Sequence, residues 1–207
     1  MGWRNISSNN VFIGNFLFVA GIGMVVSAQW ELVLGNSYAY TVLSAFGLFY
    51  GGFGAIITPA FGVRDTYGND IASYNNALGF WVLSKSSATT IFQPLMRTVW
   101  AVWNLFFLIG SLPINLVYAG IFLFVQLAFT LIAASYFAAA DGHAERAIAL
   151  QRAGGVFAFL AGLLGYYTVG NLMCQDALNF RFPMGDTSRY FTKSKEVGEK
   201  RELDASS

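Results

Sequence analysis

The residues that build most metal and redox sites are almost missing from this chain. It has one cysteine, Cys174, and one histidine, His143. No internal disulfide can form, and no zinc site of the usual ligand types can be assembled within one chain. Charge is scarce as well: 11% of residues, against roughly 25% in soluble domains. The formal net charge is +1, which leaves no basic field for nucleic acid. There is no glycine-rich phosphate loop, nucleophile elbow or paired-carboxylate constellation, so neither an enzyme nor a cofactor is expected. Met1–Asn10 is polar and the run after it is long enough to span, so no cleavable signal peptide is expected.

What is present is apolar: 56% hydrophobic and 17% aromatic residues. A membrane span needs about 20 apolar residues. Val11–Leu34 is the first such run and Tyr38–Val63 the second. Val99–Ala140 is 42 residues long and carries no charge. As one helix it would reach ~63 Å, about twice the hydrocarbon core, so it must fold back. Its one turn-like stretch is Gly110–Asn115, which divides it into two spans. Ala153–Leu178 is the fifth run. The fold class expected is an all-α, polytopic membrane helical bundle of about five transmembrane helices. Residues 1–178 form the transmembrane domain and residues 179–207 a polar C-terminal tail.

Five spans place the two ends on opposite sides. The tail holds six cations, and the other six fall on the opposite side, so counting alone ties. The tail's cluster next to the last span favours a cytoplasmic C-terminus. Gly47 and Gly51, and Ala158 and Gly162, stand four apart, a spacing that lets helices approach closely in lipid. Ser84–Thr98 interrupts an otherwise continuous apolar pattern, "NALGFWVL" before it and "VWAVWNLFFLIG" after it. Two readings stand: a genuine loop, or a retained intron, since Ser84-Lys85-Ser86 can be encoded around GTAAGT. Asn5-Ile6-Ser7 fits the N-glycosylation pattern.

Several stretches carry a resemblance: "AQWELVLGNSYAYTVLSAFGLFYGGFGAIITPAFGV", "YNNALGFWVL", "WNLFFLIGSLPINLVYAGIF", "FTLIAASYFAAADG", "AGGVFAFLAGLLGYYTVGNL" and "FPMGDTSRYF". With the Glu31…Gly35-Asn36-Ser37 element as their most specific part, they make the chain similar to the acetate uptake transporter family, the acetate and succinate permeases, in its fungal branch. The resemblance covers most of Asn9–Phe191. Family members have six helices and an Asn-Pro-Ala-Pro-Leu-Gly-Leu type signature in the first. This chain has no such signature, and "MGWRNISSNN" matches the connection after that helix. A member lacking its first helix is therefore expected. The resemblance implies a proton-coupled permease for acetate or other short monocarboxylates, assembled as a homo-oligomer in lipid, in the plasma membrane. The alternatives are a non-transporting partner subunit, an inactive truncated product, or an exporter of ammonia or ammonium.

The resemblance also implies an apolar constriction. Its third-helix member falls on Phe46 and its fifth-helix member near Val125; its first-helix member has no counterpart here. Tyr50 lies one turn from Phe46 on the same face. Moving a bare carboxylate into hydrocarbon is costly, so a permease needs hydrogen-bond donors or an accompanying proton. Gln126 and Asn171 are amides inside spans and candidates for such donors; an interhelical hydrogen bond is the plainer role for each. Other polar groups inside spans include Asn15, Thr58, Asn104 and Thr130. Glu31 is the one acid within an apolar run besides Asp176. It is either a proton-linked gate or a structural acceptor that holds a helix break, with Asn36 capping the helix that follows.

Overall fold

A computed structural model describes residues 10–83, 100–174 and 182–191. The Ser84–Thr98 segment, Asp176, the Asn5 sequon and most of the tail lie outside the described residues. Six main helices follow one another: α1 (Asn15–Val33), α2 (Ser37–Ile57), α3 (Ile71–Leu83), α4 (Trp100–Ser111), α5 (Leu116–Ala140) and α6 (Ala144–Cys174). Four of them, α1, α2, α5 and α6, are long and apolar enough to cross a membrane. The third expected run gives a helix of only 12 residues, α4, or ~18 Å at 1.5 Å per residue.

The crossing is completed by α3. Phe80 meets Phe137 edge-on at 5.2 Å, near the end of α5, and the missing side chain of Gly79 leaves room for the Phe137 ring. Asn104 of α4 reaches the Phe122 carbonyl, near the start of α5. Trp81 and Trp100 lie 6.2 Å apart between these levels. Helices α3 and α4 thus lie in succession along α5, antiparallel to it, and together make one pass. With the four long helices, the α3–α4 succession gives five candidate passes among the described residues.

Turn chemistry sets the ends. Gly35 takes φ 77°, a left-handed conformation that glycine adopts without a Cβ clash, and it ends α1. Asn36 caps α2 through its side-chain oxygen, which accepts from Ala39 N at 3.2 Å. Asn115 caps α5 in the same way, from Tyr118 N at 2.8 Å. The next two amides are taken by the segment 182–191: Leu116 N donates to Gly185 O at 2.9 Å and Val117 N to Met184 O at 3.3 Å. That segment is fastened again where the Tyr167 hydroxyl donates to Pro183 O at 2.9 Å. The first amides of α5 are therefore satisfied, and this helix end offers no open anion cradle.

α6 begins nine residues before the expected Ala153. It is 31 residues long, ~46 Å, longer than the hydrocarbon core needs. Its first turns, with Glu145, Arg146 and Arg152, extend the helix beyond the apolar run; "AERAIALQR" is rich in helix formers. The first nine residues of α1, Asn15–Gly23, form a π-helix, which apolar patterning does not announce.

Small residues set the closest packing. At Gly47 a Cβ would stand 2.7 Å from Val25 Cγ2 and 3.0 Å from the Gly21 carbonyl. Gly21 faces Gly51 across the same seam. The Gly47/Gly51 spacing thus joins α1 to α2. A Cβ at Gly162 would meet nothing within 4 Å among the described residues, so the equivalent spacing on α6 does not mark a close helix approach within them. Large apolar side chains such as Phe18, Val26, Phe106 and Phe159 stand more than half exposed. In water that surface would be a liability; facing lipid tails it is the expected outer face of an integral membrane protein.

Outside the membrane, Asp70 precedes α3. Its carboxylate accepts from Ser73 N at 3.0 Å and from the Ser73 hydroxyl at 2.7 Å. These bonds hold its pKa below the usual carboxylate value. A lowered folded-state pKa means the cap's contribution is present above the ordinary aspartate value and is lost as pH falls through the lowered one. The protection of the first amides of α3 against hydrogen exchange, measured relative to their intrinsic exchange rates, is therefore expected to fall in acid, below about pH 4. Asp70→Asn, which keeps an acceptor but does not titrate, is expected to flatten that dependence.

Candidate functional site

The core lies midway through the bundle, where α2, α3, α4 and α5 meet. Phe49, Val82, Phe129 and Ala133 are buried there, with Phe46, Tyr50, Trp81, Trp100 and Val125 packed around them. Phe46 is enclosed by rings: Tyr50 at 6.3 Å, Phe107 at 5.9 Å, Phe122 at 6.3 Å and Phe129 at 6.5 Å between centroids. Tyr50 in turn stacks on Phe16 of α1 at 6.1 Å. Three of the expected pathway residues, Phe46, Tyr50 and Val125, are thus brought into one cluster. Offset and tilted rings at these separations attract one another beyond their area burial.

Beside that cluster lies a pair of amides. Asn104 is 1% exposed. Its Nδ2 donates to the Phe122 carbonyl and to Gln126 Oε1, each at 2.9 Å. Phe122, Gln126 and Phe129 share one face of α5 by their spacing, and Asn104 and Phe107 share one face of α4. The polar pair therefore sits at the level of the Phe46 rings. Asn104 Oδ1 is buried and finds no hydrogen-bond partner among the described residues. Gln126 makes the interhelical bond that was its plainer reading. Asn104 was visible in the sequence as the one amide in "WAVWNLFFLIG", but its pairing with Gln126 was not.

Asn171 is not brought to this cluster. Gly154 packs against Ile132, and Gly120 against Leu164, so α5 and α6 run antiparallel. On that register Val125 lies opposite residues near 160. Asn171 is about 11 residues further along α6, ~16 Å away along the helix axis. It belongs to the end of the bundle that also holds Glu31 and Asn36.

At that end the Asn36 Nδ2 donates to Glu31 Oε2 at 2.8 Å, and Asn36 N donates to the Glu31 carbonyl at 2.9 Å. One side chain thus joins both elements of the break. Its amide nitrogen ties back to the end of α1, and its oxygen caps α2. This is the geometry of the structural role. Glu31→Gln keeps an oxygen for Asn36, so it is expected to retain most transport and to shift the melting temperature by only a few degrees. Asn36→Ala removes the cap and is expected to cost about 1 kcal/mol. Uptake lost in Glu31→Gln at unchanged stability would instead make Glu31 a proton carrier. Nearby, the Tyr38 hydroxyl donates to the Phe107 carbonyl at 2.6 Å and fixes α2 to α4. Among the described residues no group of three His, Cys, Asp or Glu side chains could hold a metal ion.

Comparison with known proteins places this arrangement. The sequence profile of the GPR1/FUN34/yaaH family matches residues 1–185. The chain is 48% identical to the acetate transporter protein patA of Penicillium expansum over 193 residues, covering 93% of this chain and 72% of that protein. The patA protein of Aspergillus clavatus is 49% identical over the same coverage. Ammonia transport outward protein 2 of Saccharomyces cerevisiae is 26% identical over 164 residues, covering 79% of this chain and 50% of that protein. No solved structure matches the chain significantly.

Proposed function

From a chain that belongs to the GPR1/FUN34/yaaH family of membrane transporters, we propose the movement of acetate, or a short monocarboxylate like it, across the membrane together with a proton. The observation that carries the reading is near-half identity, over 93% of this chain, to two proteins named as acetate transporters. The interior supports it. Rings crowd around Phe46, and an amide pair lies beside them, the kind of polar contact a small solute would need in hydrocarbon.

A carboxylate and a proton crossing together leave no net charge to be buried, which removes the largest cost of the passage. Phe46, Tyr50 and Val125 form the narrow point and Gln126 the polar contact. Glu31 and Asn36 hold the end of the pathway open and rigid. Asn171 lies nearer that end than the constriction and would meet solute on entry or exit. The same reading puts the protein in the plasma membrane, surrounded by lipid, with further copies of itself as neighbours. Ammonia export is the second reading, carried by the more distant relative named for that activity.

The test is uptake of labelled acetate by yeast cells stripped of their own acetate carriers and expressing this chain. Saturable uptake that collapses when a protonophore removes the proton gradient is expected. Background-level acetate uptake together with enhanced methylammonium efflux would overturn it in favour of nitrogen export. Background levels of both would point to a non-transporting subunit.

A further inference from the structure

Asn104 makes its two hydrogen bonds, to Phe122 and Gln126, with the same nitrogen. The orientation of this amide is fixed by chemistry, because the Phe122 carbonyl can only accept and the atom 2.9 Å from it must be the NH2. The other atom of the amide, Asn104 Oδ1, is therefore the oxygen, a buried acceptor with no donor among the described residues. A buried acceptor left unmatched in a native structure calls for an explanation. Gln126 completes the pattern. Its Oε1 is occupied by Asn104, so its remaining hydrogen-bonding group, Nε2, is a donor. The linked amide pair thus has one acceptor, Asn104 Oδ1, and one donor, Gln126 Nε2, beyond the bond that joins it, at the level of the Phe46 rings.

We propose that Asn104 and Gln126 recognise the short carboxylic acid in its neutral, protonated form, the acid O–H donating to Asn104 Oδ1 and the acid C=O accepting from Gln126 Nε2. The proposal rests on the transport reading above and assigns the state in which the solute passes the constriction. A carboxylate anion has no hydrogen to give. Its oxygen would face the oxygen of Asn104, like dipole against charge, in a site lined by Phe107, Phe122 and Phe129. The neutral acid satisfies both amide groups at once. No bond is made or broken in the protein. The acid takes its proton from water on one side and returns it to water on the other, one proton per molecule, and no carboxylate of the chain has to relay it.

The experiment uses the full chain in detergent and in liposomes, with three probes of similar size. Acetamide carries a C=O and an N–H and cannot ionise; acetone carries the C=O alone; acetate titrates. Thermal protection by acetamide is expected, independent of pH between 6 and 8. Acetone is expected to protect at least tenfold more weakly. The apparent affinity for total acetate is expected to rise about tenfold for each unit of pH decrease over the same range, because the neutral fraction rises tenfold. Asn104→Leu, close in volume, is expected to lose the acetamide effect while its helical content and elution volume stay those of the parent chain. If that variant does not fold, the acetamide and acetone comparison on the parent chain decides alone. Equal protection by acetone and acetamide, or acetate affinity that does not change with pH, would overturn the proposal and leave a buried water as the partner of Oδ1. Acetate uptake with that negative result leaves transport standing and removes this site. The acetamide pattern without any acetate uptake does the reverse.

Discussion

Phe46→Ala is expected to relax solute selection by about tenfold or more, measured as the ratio of butyrate to acetate uptake in cells expressing the variant. The ring is held by four others within 6.5 Å, from Tyr50 on its own helix, Phe107 on α4, and Phe122 and Phe129 on α5. Truncation to alanine leaves a void in the middle of that set. An apolar pocket discriminates against one extra methylene by ~1–3 kcal/mol, and two methylenes separate butyrate from acetate. If Phe46 lies at the narrow point, as proposed, removing its ring is expected to release most of the discrimination. The ring is half-buried rather than fully buried, so the loss of stability is expected to fall below the ~3–5 kcal/mol of a fully buried Phe→Ala change. Phe46→Leu, which keeps volume and loses the rings' mutual contacts, is expected to lie between. A butyrate-to-acetate ratio unchanged in Phe46→Ala would make the residue a packing element outside the solute's route.

Gly47→Leu is expected to abolish the folded bundle or to lower its melting temperature by more than 10 °C. The seam between α1 and α2 is closed by backbone. A Cβ at residue 47 already meets the Val25 methyl at 2.7 Å, the Gly21 carbonyl at 3.0 Å and the Val25 amide nitrogen at 3.1 Å. A methyl side chain can turn away, but a carbonyl and an amide inside a helix cannot. Overpacking of this kind costs ~1–3 kcal/mol where side chains can adjust, and more where the helices themselves must separate. The comparison that isolates the seam is Gly162→Leu. Gly162 has open space around its Cα and sits mid-helix, where leucine is the better helix former. The protomer is expected to tolerate it. If Gly162→Leu changes the elution volume of the particle while leaving the melt of the protomer intact, the outer face of α6 meets another copy. Fluorescence-detected size exclusion with a temperature ramp reads both outcomes.

The path of the chain was largely legible in its sequence. Gly35-Asn36 and Gly110–Asn115 announced the two tight turns, because a left-handed glycine and a side-chain cap are local demands that leave local signatures. The uncharged run from Val99 to Ala140 announced a fold-back by length alone. Which helix faces which was not legible. A soluble helix marks its buried side by an apolar stripe, but a helix in lipid is apolar all round, so its pattern does not say which side meets protein. Asn104 and Gln126 could each be seen as polar residues in apolar runs, while their meeting across α4 and α5 depends on register between helices. Asn171 was grouped with them for its residue type and proves to lie near the other end of α6. Phe46 and Tyr50, one turn apart on a single helix, were placed together correctly because that spacing is intrinsic to the helix. The extra nine residues at the start of α6 were missed because charge was read as the edge of the helix. It marks only the edge of the hydrocarbon.

The most direct test of the account is the ratio of protons to acetate in liposomes holding the purified chain. Labelled acetate and an internal pH dye would be followed together at pH 7, where less than about 1% of a carboxylic acid is protonated, with protein-free liposomes giving the leak. The account predicts one proton released inside per acetate delivered, at a rate that does not respond to membrane potential. Acetate entry that is driven by the potential and leaves the internal pH unchanged would mean that the bare anion crosses, and would contradict it.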